Sequence, residues 1–338
     1  MVEQFRHIDQ EKEIDLIGIG NAIVDIIVNV DDDFLKINNL TKGSMNLIDT
    51  DKSDLLLSTC KVIKKVSGGS SANTVVSLAK LGNKVEFIGR VKNDDLGNFF
   101  SSDIKESSAV FNTPPIEKGP PSAHSIIFIT PDAQRTMCTY LGASVEFESK
   151  NINFEFIKKS KYLYLEGYLW DSDLAKNAFL KAARIAQSSQ TKIILSLSDY
   201  FCVDRHRESF LELIDGYVDI LFCNESEVLS LLKKSNFSSC KELLPKLCEL
   251  VVVTLGKKGS LIINKESKVE IKPFLHSKII DTTGAGDTYA GGFIHGLINN
   301  YSLKECGNIG SICAGQIITQ LGSRSNANLI ELLKRNLS

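Results

Sequence analysis

Six short runs of branched and aromatic residues set the strongest limit on how this chain can fold. They are IDLIGIG (14–20), KVEFIGRV (84–91), KYLYLEGYL (161–169), TKIILSLSD (191–199), VDILFCN (218–224) and LVVVTLGKKGSLIIN (250–264). A strand with one wet face alternates apolar and polar residues, whereas a strand covered on both faces does not. Such runs therefore predict an α/β protein whose parallel sheet is sandwiched by helices. The helices are expected between the runs. SSANTVVSLAKLG (70–82) has apolar positions at Val75, Leu78, Ala79 and Leu81 before a terminal glycine. DLAKNAFLKAARIAQSS (173–189) and TYAGGFIHGLINN (288–300) are further candidates.

Two regions break this rhythm. Residues of about 24–48 and 108–141 contain short alternating strands, turn residues and the pairs Pro114-Pro115 and Pro120-Pro121, but little helical pattern. They predict a small β-sheet inserted into a core of about 14–23, 49–107 and 142–338. A projecting sheet can serve as a lid over a site or as an oligomer interface, so a monomer and a homodimer through the lid both stay open. The whole chain reads as one unit with an inserted lid.

Charge and cysteine usage narrow the partners. The 39 basic and 41 acidic residues leave a formal net charge of −2, which removes any bulk electrostatic drive toward nucleic acid or anionic membrane. No stretch approaches the ~18 consecutive apolar residues of a membrane span. The opening MVEQFRHIDQEKE is polar, with no apolar run to serve as a secretory signal. The eight cysteines include no C-x-x-C and read as reduced thiols of a cytoplasmic protein. The five histidines lack H-x-x-x-H and H-E-x-x-H spacing, which argues against a metal hydrolase. Any anion must be gripped locally.

The densest chemical signal is DTTGAGDTYAGGFIHGLI (281–298), read as a strand exit through HSKII, a two-glycine turn and an apolar helix. Gly284 and Gly286 let the backbone turn tightly and expose N–H groups at a helix start, where free amides and the helix dipole favour an anion. Asp287 falls in the first turn of that helix. The arrangement suits phosphoryl transfer: amides stabilise charge on the moving phosphate, and a carboxylate accepts the proton of an attacking hydroxyl. A bare G-x-G-D more often marks a turn with a helix-capping Asp, so its companions decide.

Three companions stand at other strand ends. Asn224 and Glu227, in N-x-x-E after VDILFCN, can hold hydrated Mg²⁺ beside nucleotide phosphates, or simply cap a helix. Thr254, Gly256 and Gly259 can approach a nucleotide closely, or form a plain hairpin. In GGSSAN (68–73), Gly69 and Ser70 would open a helix with free amides, and Asn73 can bond sugar hydroxyls in both directions. The first run leads to Asn21 and Asp25, and a carboxylate such as Asp25 can accept from two vicinal hydroxyls. In doubly wound sheets ligands bind outside the C-terminal ends of the strands, and nearly every motif falls at such an end.

DTTGAGD with its apolar helix, the N-terminal G-x-G-N-x-x-x-D, GGSSAN and N-x-x-E, in this order, resemble the PfkB/ribokinase family of small-molecule kinases. The resemblance covers about residues 14–330. GNAIVDIIV, TPDAQRTMCTYLGAS, LEGYLW and LSDYFCVDRHR resemble its adenosine-kinase-like branch of bacterial enzymes. It implies a ribokinase-like core with a β-sheet lid and ATP-dependent, Mg²⁺-assisted phosphorylation of a primary hydroxyl. It also implies Asp287 as base and an anion hole from the amides of Gly284, Ala285 and Gly286. Asn21, Asp25, Gly69, Ser70 and Asn73 resemble the family's acceptor contacts, and Arg135 can reach from the lid toward the transferred phosphate or remain an exposed lid arginine. Asp281 and Thr283 resemble backbone contributors to a monovalent-cation site, implying K⁺ in some members. GGSSAN departs from adenosine-kinase usage toward that of sugar kinases, and no aromatic pair in the lid is recognisable as a purine clamp. The acceptor is thus expected to be adenosine or a related nucleoside, with a ribose- or fructose-like sugar as the alternative.

Other classes fit less well. A dinucleotide-binding dehydrogenase needs G-x-G-x-x-G, but Ile23 stands at the third glycine's position after Gly18 and Gly20. No G-x-x-x-x-G-K-[ST] is present for a P-loop ATPase. A non-catalytic nucleotide- or sugar-binding regulator has no need of the intact Asp287.

Overall fold

A computed structural model describes residues 12–132, 134–275 and 279–337. Its strands are β1 (Ile14–Ile19), β2 (Ile23–Asn29), β3 (Met45–Leu47), β4 (Val62–Ser67), β5 (Val85–Ile88), β6 (Ala123–Ile129), β7 (Arg135–Tyr140), β8 (Ser160–Glu166), β9 (Lys192–Ser196), β10 (Ile220–Asn224), β11 (Leu250–Thr254), β12 (Ser260–Ile263) and β13 (Lys268–Ile271). They form an eight-stranded sheet, β13-β12-β11-β10-β9-β8-β1-β5, and a five-stranded sheet, β3-β7-β6-β2-β4.

The large sheet explains the unalternated runs. Ile17, Leu163, Leu195, Leu221 and Val251 pack on one face with Phe179, Phe210 and Val228 from the helices Asp173–Ser188, Tyr200–Tyr217 and Glu225–Leu232. Leu16, Phe87, Tyr164, Ile194 and Val252 pack on the other with Val75 and Phe293 from the helices Ser70–Lys80 and Ala285–Ile298. Both faces are dry, so apolar residues serve at odd and even positions alike. From β5 to β11 every pairing is parallel.

The run 250–264 departs from the expectation of an all-parallel sheet. It folds as the antiparallel pair β11–β12, and β13 adds antiparallel beyond it. The reversal depends on Gly259, whose φ is +94° and where a Cβ would fall 1.9 Å from the Ile271 carbonyl oxygen. No side chain fits there, so the chain turns back instead of crossing over.

The small sheet alternates as the large one does not. Ile26, Val28, Ile126, Phe128 and Cys138 pack on its outer face under Leu35 and Leu56, from the helices Asp32–Ile37 and Thr50–Ser58. Ile23, Asp25, Ser125, Ile127, Met137 and Thr139 take the opposite face, toward the large sheet. The sheet also claims more of the sequence than 24–48 suggests. β4 lies within the segment 49–107 expected in the core, yet it pairs with β2 at the lid's edge, and its Lys64-Lys65 suits an exposed edge strand. Conversely, residues 108–118 make no lid strand. Val110 and Ile116 instead bridge to Glu86 and Lys92 alongside the core.

The expected strand exit HSKII is not confirmed: His276, Ser277 and Lys278 lie outside the described residues, and Ile279 and Ile280 are not in a strand. Of MVEQFRHIDQEKE, residues 1–11 also lie outside them. All eight cysteines are unpaired with one another, and six are buried. Among the described residues no helix is long and apolar enough to cross a membrane.

Candidate active site

The C-terminal ends of the parallel strands open into a cavity of about 460 Å³ beneath the inner face of the small sheet. The parallel strands point their carboxyl ends at one edge, and the connections into the lid leave from that edge, so groups distant in sequence converge.

Asp287 stands at its centre. The helix Ala285–Ile298 begins at Gly284, whose φ of +75° is left-handed and where a Cβ would sit 2.8 Å from the Ser323 backbone. Glycine is needed there for both reasons. The Asp287 carboxylate accepts from the Ser70 hydroxyl at 2.6 Å and the Asn73 amide at 2.9 Å. Burial raises its pKa, and those two bonds oppose the rise. Of the three amides expected in an anion hole, that of Ala285 donates to the Thr282 carbonyl at 3.2 Å. The N–H groups of Gly284 and Gly286 find no partner among the described residues, so they stay free for an anion.

Above this turn, Arg135 of β7 reaches down from the lid. Its guanidinium pairs with Asp281 and donates to the Thr283 hydroxyl, each at 2.6 Å. Asp281 is buried and also accepts from the amides of Thr283 and Gly322 at 2.8 and 2.9 Å. Arg135 is therefore no free surface arginine. It fastens the lid to the anion loop and places a positive charge over it.

The residues expected to contact the acceptor, Asn21, Asp25, Gly69, Ser70 and Asn73, all line the cavity. Gly69 (φ +89°) leads into the helix Ser70–Lys80, and a Cβ on it would lie 2.2 Å from the Asn21 carbonyl. Asp25 projects from β2, its pKa lifted by burial to about 7. The positive charges of Arg324 and Arg135 act against that rise, while Asp281 and Asp287 add to it. Glu166, at the end of β8, is a site residue that sequence reasoning missed. Its carboxylate accepts from the Asn21 side chain (2.9 Å) and the Ser71 amide (2.8 Å), and burial lifts its pKa to about 7. The only signal was a lone carboxylate ending a buried strand in LEGYLW. Asp171 and Arg205 were missed too; they form a bidentate pair at 3.1 and 2.7 Å on the cavity wall.

Of the residues expected at the nucleotide, Asn224 and Glu227 form a reciprocal helix cap and still line the cavity. The helix-capping reading is therefore seen directly, and the pair also faces the cavity. The Asn224 backbone amide donates to Glu227 at 2.9 Å, and burial raises the Glu227 pKa to about 7. Glu227 has no basic side-chain partner among the described residues. Thr254 lines the cavity, but Gly256 and Gly259 do not; they make the β11–β12 turn beyond it.

Comparisons with known proteins give the family and the fold. The sequence model of a family described as pfkB family carbohydrate kinase matches residues 36–329. The chain is 25% identical over 325 residues to a 5-dehydro-2-deoxygluconokinase of Bacillus licheniformis, covering 93% of each. It superposes with a TM-score of 0.91 on a probable sugar kinase from Rhizobium etli, at 40% identity over 96% of this chain and 98% of that one. An adenosine kinase from Sinorhizobium meliloti gives the same TM-score of 0.91 at 42% identity, over 96% and 99% of the two chains.

Proposed function

The chain belongs to the pfkB family of carbohydrate kinases, phosphotransferases that act on hydroxyl groups, and on that premise we propose that it moves the γ-phosphate of ATP to a primary hydroxyl of adenosine or a related nucleoside. The observation that carries the reading is Asp287, a carboxylate at an amide-bearing helix start inside a cavity shared by the two sheets. A carboxylate whose basicity burial has raised is suited to take a proton from a hydroxyl.

In the proposed reaction, Asp287 accepts the acceptor's hydroxyl proton as that oxygen attacks the γ-phosphorus. The bond from phosphorus to the bridging oxygen breaks, and ADP carries away the electron pair. Ser70 and Asn73 hold the Asp287 carboxylate in place through their two hydrogen bonds. The free amides of Gly284 and Gly286 and the Arg135 charge stabilise the phosphoryl oxygens, which carry the charge of the transition state. Asp25, Asn21 and Asn73 bind the acceptor's other hydroxyls.

Asn224 and Glu227 suit a hydrated Mg²⁺. A buried carboxylate facing the cavity without a basic partner is the donor such an ion asks for, and Mg²⁺ needs only one or two. Bound with the nucleotide, Mg²⁺ would neutralise phosphate charge. The Asp281 carboxylate is committed to Arg135 and two amides, so K⁺ would take backbone carbonyls of Asp281 and Thr283.

The preference for a nucleoside rests on the lid. Met45, Leu47, Ile127, Met137 and Leu141 give the cavity an apolar wall beside Asp25. Such a wall gains by covering a flat base, whereas a free sugar would leave it wet. The alternative, a ribose- or fructose-like sugar, has support in the carbohydrate-kinase family itself and in the relative named as a probable sugar kinase. ADP formation with adenosine, other nucleosides, ribose and fructose decides between them. Adenosine is expected to show the highest kcat/KM. A sugar exceeding it by about tenfold would reverse the preference, and turnover at the water background with every acceptor would remove the kinase reading. Asp287→Asn should lower kcat by at least ~100-fold while acceptor binding changes little.

A further inference from the structure

Arg324 lies in the loop between the helices Leu303–Ile317 and Leu329–Asn336, yet its side chain is only 7% exposed. A buried guanidinium is costly unless its donors are met. Three of them are met, by Asp103, Gly68 and Asn73. One terminal nitrogen pairs with Asp103, which is half-exposed on the helix Asp95–Glu106. The other donates to the Gly68 carbonyl at 3.5 Å, and Nε donates to Oδ1 of Asn73 at 3.4 Å. The planar group also lies over the Phe100 ring, 5.5 Å from its centroid.

The bond to Asn73 has a chemical direction. An asparagine amide offers an acceptor at one end and donors at the other. Oδ1 accepts from Arg324 and from the Ser323 hydroxyl at 3.2 Å, which leaves Nδ2 to donate to Asp287 at 2.9 Å. Were the amide turned over, its NH₂ would meet the Arg324 donors and its oxygen would meet the Asp287 carboxylate. Ser323 could tolerate that reversal, because a hydroxyl also accepts. Arg324 has no acceptor and cannot.

Arg324 also stands behind Gly68, where an added Cβ would lie 2.7 Å from the Asp25 carboxylate. The charged groups acting on Asp25 are Arg324 and Arg135, which favour its ionised form, and Asp281 and Asp287, which oppose it; Arg324 acts most strongly.

We propose that Arg324 is a positioning residue: it orients the Asn73 amide so that Asp287 faces the acceptor, and it supports the Asp25 charge from behind Gly68. This rests on the kinase reading above. Neither role requires Arg324 to touch the substrate.

The test compares Arg324→Met and Arg324→Lys with the wild type, using steady-state kinetics with ATP and the best acceptor of the panel between pH 5.5 and 9. Wild-type turnover comes first, because its absence would sink the kinase reading and not this one. With an active wild type, Arg324→Met should lose at least about 30-fold in kcat, and the acid limb of its kcat/KM profile should move to higher pH. Lysine keeps the charge but loses the fork, so Arg324→Lys should bring the acid limb back while kcat stays low. A purely structural role would not separate these two effects. The inference is overturned if both variants stay within about twofold of wild type, or if the acid limb does not move in Arg324→Met. Should Arg324→Met not fold, Arg324→Lys decides alone, and a wild-type kcat in it refutes the proposal.

Discussion

Replacing Asp25 with Asn should make the ligand-free protein more stable and acceptor binding weaker, and the stability gain should grow with pH. Burial lifts this carboxyl from an ordinary 3.8 to about 7. Between those values the native chain holds a proton that the unfolded chain has released. Stability therefore falls as pH rises through that window, and the full cost stands above it. At about 1.4 kcal/mol per pH unit, the gap from 3.8 to about 7 amounts to about 4 kcal/mol above pH 7. By the same arithmetic about 1.5 kcal/mol is already present at pH 5. An amide carries no charge at either pH, so Asp25→Asn should gain up to about 4 kcal/mol at pH 8 and about 1.5 kcal/mol at pH 5. Urea unfolding of both proteins without ligand at the two pH values measures the difference, and calorimetric titration with the acceptor measures the loss of affinity. A gain equal at pH 5 and pH 8 would show that Asp25 does not hold a strained charge. A variant that binds the acceptor as tightly as wild type would show that this strain serves no binding purpose.

Three further outcomes follow from the geometry. Arg135→Met should lower kcat by about 100-fold through loss of charge over the phosphate, and should cost about 3 kcal/mol of stability by stranding buried Asp281; kinetics and urea midpoints read the two separately. Gly284→Ala combines a left-handed φ with a contact at 2.8 Å, so it should lose at least ~2 kcal/mol and show little turnover; a thermal melt matching wild type would contradict the geometry. Glu227→Gln should raise the Mg²⁺ concentration for half-maximal rate by about tenfold, as read by Mg²⁺ titration at saturating ATP, and an unchanged requirement would move the ion elsewhere.

The parts of the fold that were legible in the sequence are those decided by one physical term. Strands such as Leu250–Thr254 and Ile220–Asn224 are dry on both faces, so apolarity alone marks them. The lid region holding β6 and β7 announced itself through short alternating strands and turn residues. What stayed hidden depended on partners. Val62–Ser67 is an exposed edge strand that exists because β2 lies beside it, and Val110 is extended because Val85 offers it a backbone pairing. The site divides in the same way. Gly284, Asp287, Asn73 and Glu227 sit in short motifs that point to a site once they are read together. Glu166 and Arg324 matter because the fold brings an amide or a carboxylate to them from far along the chain. A single buried charge leaves no pattern in its neighbours.

The separation of the two sheets has a consequence for descent. Apart from Arg135, the proposed phosphate machinery hangs from the large sheet, while the proposed apolar wall for the acceptor and Asp25 occupy alternate positions on one face of the small sheet. Substitutions on that face leave β10, β11 and the Asp287 helix untouched. Proteins that match this chain over more than nine-tenths of its length carry names as different as 5-dehydro-2-deoxygluconokinase and adenosine kinase. A lineage built this way can trade one acceptor for another by drift in a few lid side chains, without passing through an ancestor that has lost the power to phosphorylate.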